Sequence, residues 1–587
     1  MEIRRIDIHN YHGIQCLEWR IPKGKRFLCL IGPGDVGKTS ILDAVYLALS
    51  DRWSLSISDT DFFKIDVNNP IVIRVALSDL SNDILRHRVL GMELSGIDDA
   101  GEWSHDPEDG LEPCVIIQLT IDANLEPSWV AYRPGGVEPF LSIGSGIRRR
   151  LSAFKLDDRI DMHLRWSRSS ALTKLTEESH GASGILATAM RAARNAVFNS
   201  ITEEMSQLAK GVQDGLHRLG SGSFENVRPG LDSSVPSSNG LLALFEDDIP
   251  LTNFGLGTRR LAGIATQEMG LDSQSILLVD EVEHGLEPHR LVYLLKYFKT
   301  TTELSQVFVT THSPIAVEQL DVEDLFLVRH LETGVRVVQV PEVPKLGRAL
   351  TRSRPSSFLA RRVMVVEGKT EHGLLLGLIE LWDLQRIKDK LAPSSALGVA
   401  VQDGESGSSA TPRSHLLADL GYETGLFIDH DDKTIDKAVV TAKKAGVEVF
   451  RWSDGKCTEQ ELIESSSAED LAKLLEIAKV IRVDVRTVLN DIHSLSANLD
   501  FVDLDVPGWI ASGSTDLARA QTAIYLAAKQ YNWFKRVDNG LAQWLYPQLP
   551  HLSSTSVVGS LIENIRLYLY RDTQPAIERS STAHGDG

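Results

Sequence analysis

Arg26-Phe27-Leu28-Cys29-Leu30-Ile31-Gly32-Pro33-Gly34-Asp35-Val36-Gly37-Lys38-Thr39-Ser40-Ile41-Leu42 decides how the first half of the chain folds. An apolar run of strand length stops at glycine, and from about Lys38 an apolar face recurs at helical spacing, Ile41, Leu42, Val45 and Leu49. Between them Gly32 to Thr39 satisfies GxxxxGK[ST], in the strand, turn and helix order that a phosphate-binding loop needs. Glycines let backbone N–H groups turn inward around phosphate oxygens, and the helix start adds its positive dipole end. Lys38 is placed to reach the β and γ phosphates and Thr39 to hold Mg²⁺. Gly32, Gly34, Gly37, Lys38, Thr39 and Ser40 are therefore the expected nucleotide-binding residues.

Farther along, Ile276-Leu277-Leu278-Val279-Asp280-Glu281 is an apolar strand ending in two acids. Asp280 can hold Mg²⁺ through water, and Glu281 can polarise an attacking water. His312 ends another apolar strand, QVFVTTHS, where an imidazole beside parallel-strand ends can meet the terminal phosphate.

The second half repeats strand, turn and helix with different chemistry. Val363-Met364-Val365-Val366-Glu367-Gly368-Lys369-Thr370-Glu371 and Phe427-Ile428-Asp429-His430-Asp431-Asp432 each place acids after an apolar strand. The C-terminal ends of parallel strands share one sheet edge, so Glu367, Asp429 and Asp431 can converge, with Glu371 one helical turn beyond Glu367. Grouped carboxylates repel unless a cation joins them, and hard oxygen donors select Mg²⁺ or Mn²⁺.

These parts sit in a chain of 587 residues, long enough for about three to four domains at roughly 150 residues each. Hydrophobic residues at 42% and charged residues at 24% exclude a largely disordered chain. The formal charge of -19 weighs against indiscriminate coating of nucleic acid or anionic membrane. No stretch reads as a secretory h-region or a spanning helix, so a soluble, cytoplasmic protein is expected. Cys16, Cys29, Cys114 and Cys457 are scattered without a CxxC pair, which suggests ordinary buried or half-buried thiols. A long helical pattern within about 160–220 reads as an insertion, and Gly220 to Gly240, dense in Gly, Ser and Pro, reads as an exposed loop. The domain reading is 1–340, a connector at 341–357, a second α/β domain at 358–572 and a flexible tail at 573–587. Arg148 to Arg150, Arg259-Arg260, Arg352, Arg354 and Arg361-Arg362 are the local cation clusters available for phosphate contact.

The order of parts in the first half resembles the ABC-type ATPase head of SMC-like and RecF-like DNA proteins. The resemblance places a D-loop near His284 to Pro288, a switch histidine at His312 and a degenerate signature at Asn253-Phe254-Gly255-Leu256-Gly257-Thr258. Gly255 and Gly257 would meet phosphate across a dimer, although the family's serine is missing. EGKTE plus DHD resembles the Toprim domain, and an ABC-type head followed by Toprim is the arrangement of OLD (overcoming lysogenisation defect) nucleases, to which the Gabija nuclease subunit is similar. The fold implied is α/β throughout, a P-loop ATPase head with a helical, dimerisation-like insertion and then a Toprim domain.

For function, the resemblance implies an ATP-binding, metal-dependent DNA endonuclease with Mg²⁺ or Mn²⁺ at a two-metal site, acting in antiphage defence as a homodimer or larger homo-oligomer beside a helicase. It also implies a further acidic ligand and a catalytic lysine. Glu459 and Lys535 are the matches chosen, with Glu461 and Lys529 competing. The alternatives are a strand-passing topoisomerase, which needs a tyrosine nucleophile, and a non-catalytic SMC-like clamp.

Overall fold

The computed structural model describes the chain apart from residues 53–54, 87–89, 109, 152, 157–163, 166–200, 220–223, 232–241, 270–274, 303, 332–333, 342–350, 353, 497–500, 553–555 and 572–587. Most of the helical insertion, most of the connector and the tail read from the sequence thus lie outside the described residues. The chain divides into two compact units, Met1–Arg352 and Ser353–Gly587.

In the first unit the apolar run Phe27–Ile31 (β1) is buried along its whole length, as a strand covered on both faces must be. It lies inside a six-stranded sheet with Ala153–Leu156 (β2), Ile276–Val279 (β3), Gln306–Thr310 (β4), Leu325–Leu331 (β5) and Gly334–Gln339 (β6). The order is β2-β3-β4-β1-β5-β6; all neighbours are parallel except β6, which returns antiparallel to β5. The register pairs Val279 with Val309 and Val309 with Cys29, so the segments after β1, β3 and β4 emerge on one edge.

The helix Lys38–Ala48 (α1) follows β1. Ile41, Leu42 and Val45 share one core with Leu28 and Leu30 of β1 and with Ile6, Ile8, Ile73 and Val75 of a second, antiparallel sheet. Burying α1 between two sheets fixes its first turn against the glycine loop.

Among the described residues of the expected insertion, Glu203–Arg218 (α2) is helical, and the Thr202 hydroxyl caps it by accepting the Met205 N–H. It packs on Leu256–Glu268 (α3); a Cβ at Gly215 would lie 2.6 Å from the Ala265 Cβ. The expected loop over Gly220 to Gly240 is interrupted by a strand, Val227–Leu231, antiparallel to Leu242–Glu246. Pro229 and Gly230 made this segment read as loop, but it is the edge strand of its sheet, where a missing N–H donor is tolerated.

The second unit is built on four parallel strands, Arg362–Val366 (β7), Val399–Asp403 (β8), Glu423–Ile428 (β9) and Glu448–Arg451 (β10), in the order β8-β7-β9-β10. Helix Lys369–Lys388 (α4) follows β7. Met364, Val366 and Phe427 of the sheet share a core with Leu374 and Leu378 of α4 and with Ile524, Trp533 and Phe534 near the C-terminus. Residues beyond 500 are therefore folded into the same core as the strands that carry the acids.

Three of the arginines offered for phosphate contact are internal. Arg148 is buried, donates to the Ser50 and Arg52 carbonyls and lies 3.7 Å from the Trp129 ring centroid. Arg260 is fully buried and donates to the Asp280 carbonyl. Arg362, also fully buried, pairs with Glu423 at 2.6 Å and donates to the Leu569 and Arg571 carbonyls. Each lost the competition between solvent and internal acceptors, because a guanidinium's several donors can satisfy several carbonyls at once. Arg149, Arg150, Arg352 and Arg361 remain exposed. Among the described residues no helix is long and apolar enough to cross a membrane.

Candidate functional site

Two constellations stand out, one in each unit. In the first, Gly32 (φ 137°) and Gly37 (φ 96°) take backbone conformations that side chains resist, and a Cβ on Gly32 would lie 2.7 Å from the Val328 carbonyl oxygen. Gly34 lies on the exposed part of the loop. Lys38 is buried, and its Nζ donates to the carbonyls of Gly32 (3.0 Å) and Pro33 (2.6 Å) within its own loop. Burial pulls its ammonium down to about 8, against the opposing pull of Asp280, Asp35, Glu283 and Glu281.

The Thr39 hydroxyl donates to Asp280 Oδ1 at 3.1 Å, so the two proposed magnesium ligands of separate motifs face each other. The Thr310 hydroxyl also donates to Asp280 Oδ1 (2.6 Å) and accepts the Glu281 N–H (2.8 Å). Glu281 is exposed with φ 45°, in the left-handed region, and its carboxylate lies 3.7 Å from His284 Nδ1. The Ser40 hydroxyl lies 3.4 Å from His12 Nδ1, whose other ring nitrogen meets Asp61 at 2.8 Å.

His312 sits on the same edge, its imidazole held below the usual range by partial burial and by Lys38. Glu283 anchors that segment, accepting the Thr311 hydroxyl and the His312 N–H, both at 2.6 Å. Sequence reading passed over Glu283 and Thr310; spacing after the strands was the available signal. Gly255 caps α3. Gly257 is small for a reason inside the unit: a Cβ there would come 2.4 Å from the Gly285 carbonyl oxygen, so α3 rests on the turn following Glu281.

In the second unit, Glu367 follows β7 and its Oε2 accepts the Asp429 N–H after β9 at 2.8 Å. Glu371 is buried in the first turn of α4, and its Oε2 accepts the Gly368 N–H at 3.0 Å. Asp429 Oδ1 accepts two donors from Thr458, the N–H (2.8 Å) and the hydroxyl (2.9 Å). Thr458 opens the helix Thr458–Glu464 (α6, Asp436–Lys444 being α5). Glu459 accepts the Thr370 hydroxyl at 3.0 Å. Ligand atoms of Asp429, Cys457 and Glu459 lie within 4.8 Å of one another, a group able to hold a metal ion. Cys457 was not foreseen there, since a lone cysteine carries no spacing signal.

The structure places the competing residues differently. Glu459 faces the cluster, whereas buried Glu461 lies 3.6 Å from Lys456. Lys529, on Leu517–Gln530 (α7), donates to Asp431 Oδ2 at 3.1 Å. Lys535 is exposed, and among the described residues its ammonium makes no ion pair. Its neighbours Trp533 and Phe534 occupy the core, which turns Lys535 outward. Partial desolvation pulls Lys529 down, and the Asp431 hydrogen bond together with Cys457 and Tyr525 more than offsets it, so the ammonium is raised.

Burial, reinforced by Glu459, pushes Glu371 up to about 8. Burial, with Glu371 and then Glu367, holds Asp429 well above the carboxylate range. Glu367 is raised chiefly by burial too. Crowded oxygen donors that hold protons near neutrality fit a hard divalent ion, which replaces those protons. Two consequences share one origin. The folded cluster binds more protons than the unfolded chain between the usual 4.5 and about 8, so metal-free stability falls as pH rises across that window. Mn²⁺ affinity should rise with pH up to about 8 and proton release should accompany binding at pH 7, read by calorimetry in buffers of different ionisation enthalpy. A pH-independent affinity would contradict the cluster's protonation.

Comparison with known proteins adds three findings. Residues 27–318 match the family described as "AAA domain, putative AbiEii toxin, Type IV TA system". The OLD nuclease of Thermus scotoductus (strain ATCC 700910 / SA-01) is 24% identical over 398 residues, covering 62% of this chain and 71% of that protein. Among solved structures, an SMC head bound to the C-terminal winged-helix domain of ScpA has 16% identity and a TM-score of 0.37, covering 58% of this chain and 97% of that one. The SMC head domain from Thermotoga maritima has 12% identity and a TM-score of 0.31, covering 58% and 100%.

Proposed function

We propose, from the premise that the chain is an OLD-family ATPase nuclease, that the second unit is a Toprim-type domain hydrolysing DNA phosphodiesters under the control of ATP held by the first. The observation carrying this reading is the convergence of Glu367, Glu371, Asp429 and Glu459 from three separate segments, with Lys529 fixed to Asp431 beside them. Glu367, Glu371, Asp429 and Glu459 would hold Mg²⁺ or Mn²⁺, and Asp431 lies at the exposed rim. A bound divalent ion supplies a more acidic water and neutralises charge on the phosphate. Lys529 presents a permanently charged ammonium for the charge developing on that phosphate.

In the first unit Lys38 would exchange its loop carbonyls for phosphate oxygens, Thr39 and Asp280 would hold Mg²⁺, and Glu281 would accept the proton of the attacking water. His312 meets the terminal phosphate, and Gly255 would face a second head. Glu281→Gln should slow ATP hydrolysis by about 10²-fold or more with nucleotide affinity retained, measured as single-turnover hydrolysis beside equilibrium binding. Wild-type turnover would place the base elsewhere.

A strand-passing reading has one observation behind it: Tyr525 lies beside Lys529, whose ammonium stands 5.8 Å from its ring centroid. Burial pushes the Tyr525 hydroxyl up, which opposes a phenolate nucleophile. Plasmid cleavage crossing Mg²⁺ and Mn²⁺ with and without ATP tests the whole reading. Cutting without a covalent protein–DNA adduct supports hydrolysis, an adduct favours Tyr525, and no cutting in any combination leaves a DNA clamp.

A further inference from the structure

We propose that Trp452 and Thr458 form a hydrogen-bond relay that orients Asp429 for its cation, a positioning role that rests on the metal reading of the cluster. Trp452 directly follows β10, is 2% exposed, and its ring meets Phe427 edge-on at 5.5 Å, two residues before Asp429. Its indole Nε1–H donates to the Thr458 hydroxyl oxygen at 2.7 Å in a buried setting. An indole N–H can only donate, and a hydroxyl carries one proton. Once Trp452 fills a lone pair on Thr458, the hydroxyl proton must go onward to a carboxylate.

That proton reaches Asp429 Oδ1 at 2.9 Å, and the Thr458 N–H meets the same oxygen at 2.8 Å. Asp429 Oδ1 thus carries two donors, and Oδ2 is the oxygen these bonds do not use. The backbone holds the two segments in register: the His430 N–H donates to the Lys456 carbonyl (2.9 Å) and the Gly455 N–H to the His430 carbonyl (3.0 Å). Neither Trp452 nor Thr458 bears a charge or belongs to a metal-binding sequence pattern, so only their placement assigns the role.

Groups that orient a metal's ligands are typically worth about 10–100-fold in metal affinity. The test is Mn²⁺ binding to the nucleotide-free, full-length protein, read as the fall in the free Mn²⁺ resonance, with Asp429→Asn marking the share owed to this cluster. Trp452→Phe keeps the ring and should weaken binding about 10-fold, Thr458→Val at least as much, and Thr458→Ser should restore it. Because the indole acts only through the hydroxyl, the double variant Trp452→Phe/Thr458→Val should bind no worse than Thr458→Val alone. Wild-type affinity in a folded Trp452→Phe protein, fully additive losses, or failure of Thr458→Ser to restore binding would overturn the relay. Undiminished Mn²⁺ binding by Asp429→Asn would overturn the metal reading and the relay with it.

Discussion

Asp429→Ala should lose DNA cleavage by more than about 10²-fold while ATP turnover continues, the scale on which removal of one charge-stabilising group is felt in an active site. Asp429 is the member that links the others: its N–H holds Glu367, its Oδ1 holds Thr458, and its carboxylate lies beside Cys457 and Glu459. Removing its carboxylate takes away one ligand's charge and the acceptor of both Thr458 donors, while the backbone N–H that holds Glu367 stays. It also relieves repulsion within a cluster whose carboxyls are raised by burial and by one another, so metal-free Asp429→Ala should be no less stable than the parent at pH 8. Mn²⁺ should recover part of the activity that Mg²⁺ does not, because it tolerates a poorer ligand set. Plasmid nicking and phosphate release measured on the same preparation decide the matter. Retained cleavage, or cleavage and ATP turnover lost together in well-folded protein, would defeat the separation of the two chemistries.

Lys38→Ala should in turn abolish ATP hydrolysis, with loss of at least about 10²-fold, while thermal unfolding changes little. Two buried loop carbonyls lose a donor in this variant, and the space vacated by the side chain can admit a water in its place. The phosphates, by contrast, lose the one cation carried by Gly32 to Thr39. Nucleotide affinity and turnover should fall together, unlike in Glu281→Gln, where turnover alone falls. Undiminished affinity and turnover in folded Lys38→Ala protein would remove the phosphate-loop assignment.

By itself the sequence determined the features written in contiguous residues. The glycine loop was legible because Gly32 to Thr39 lies between an apolar run and a helical period, and backbone conformation there depends on local glycines. The acids after β7 and β9 were legible for the same reason, since an apolar strand ending in carboxylates marks a sheet edge. The tertiary structure decided everything that turned on orientation. Glu459 and Glu461 stand two places apart on α6, about 200° around a helix of 3.6 residues per turn, so only the packing of α6 shows which one faces Asp429. Lys529 and Lys535 straddle the end of α7, and the burial of Trp533 and Phe534 turns one lysine outward while Asp431 holds the other. Arg148, Arg260 and Arg362 read as surface cations because charge is visible in a sequence and burial is not; each found carbonyls or a carboxylate contributed by residues distant along the chain. Trp452 and Thr458 reach Asp429 only because β9 and β10 are adjacent parallel strands, a pairing that no local pattern specifies.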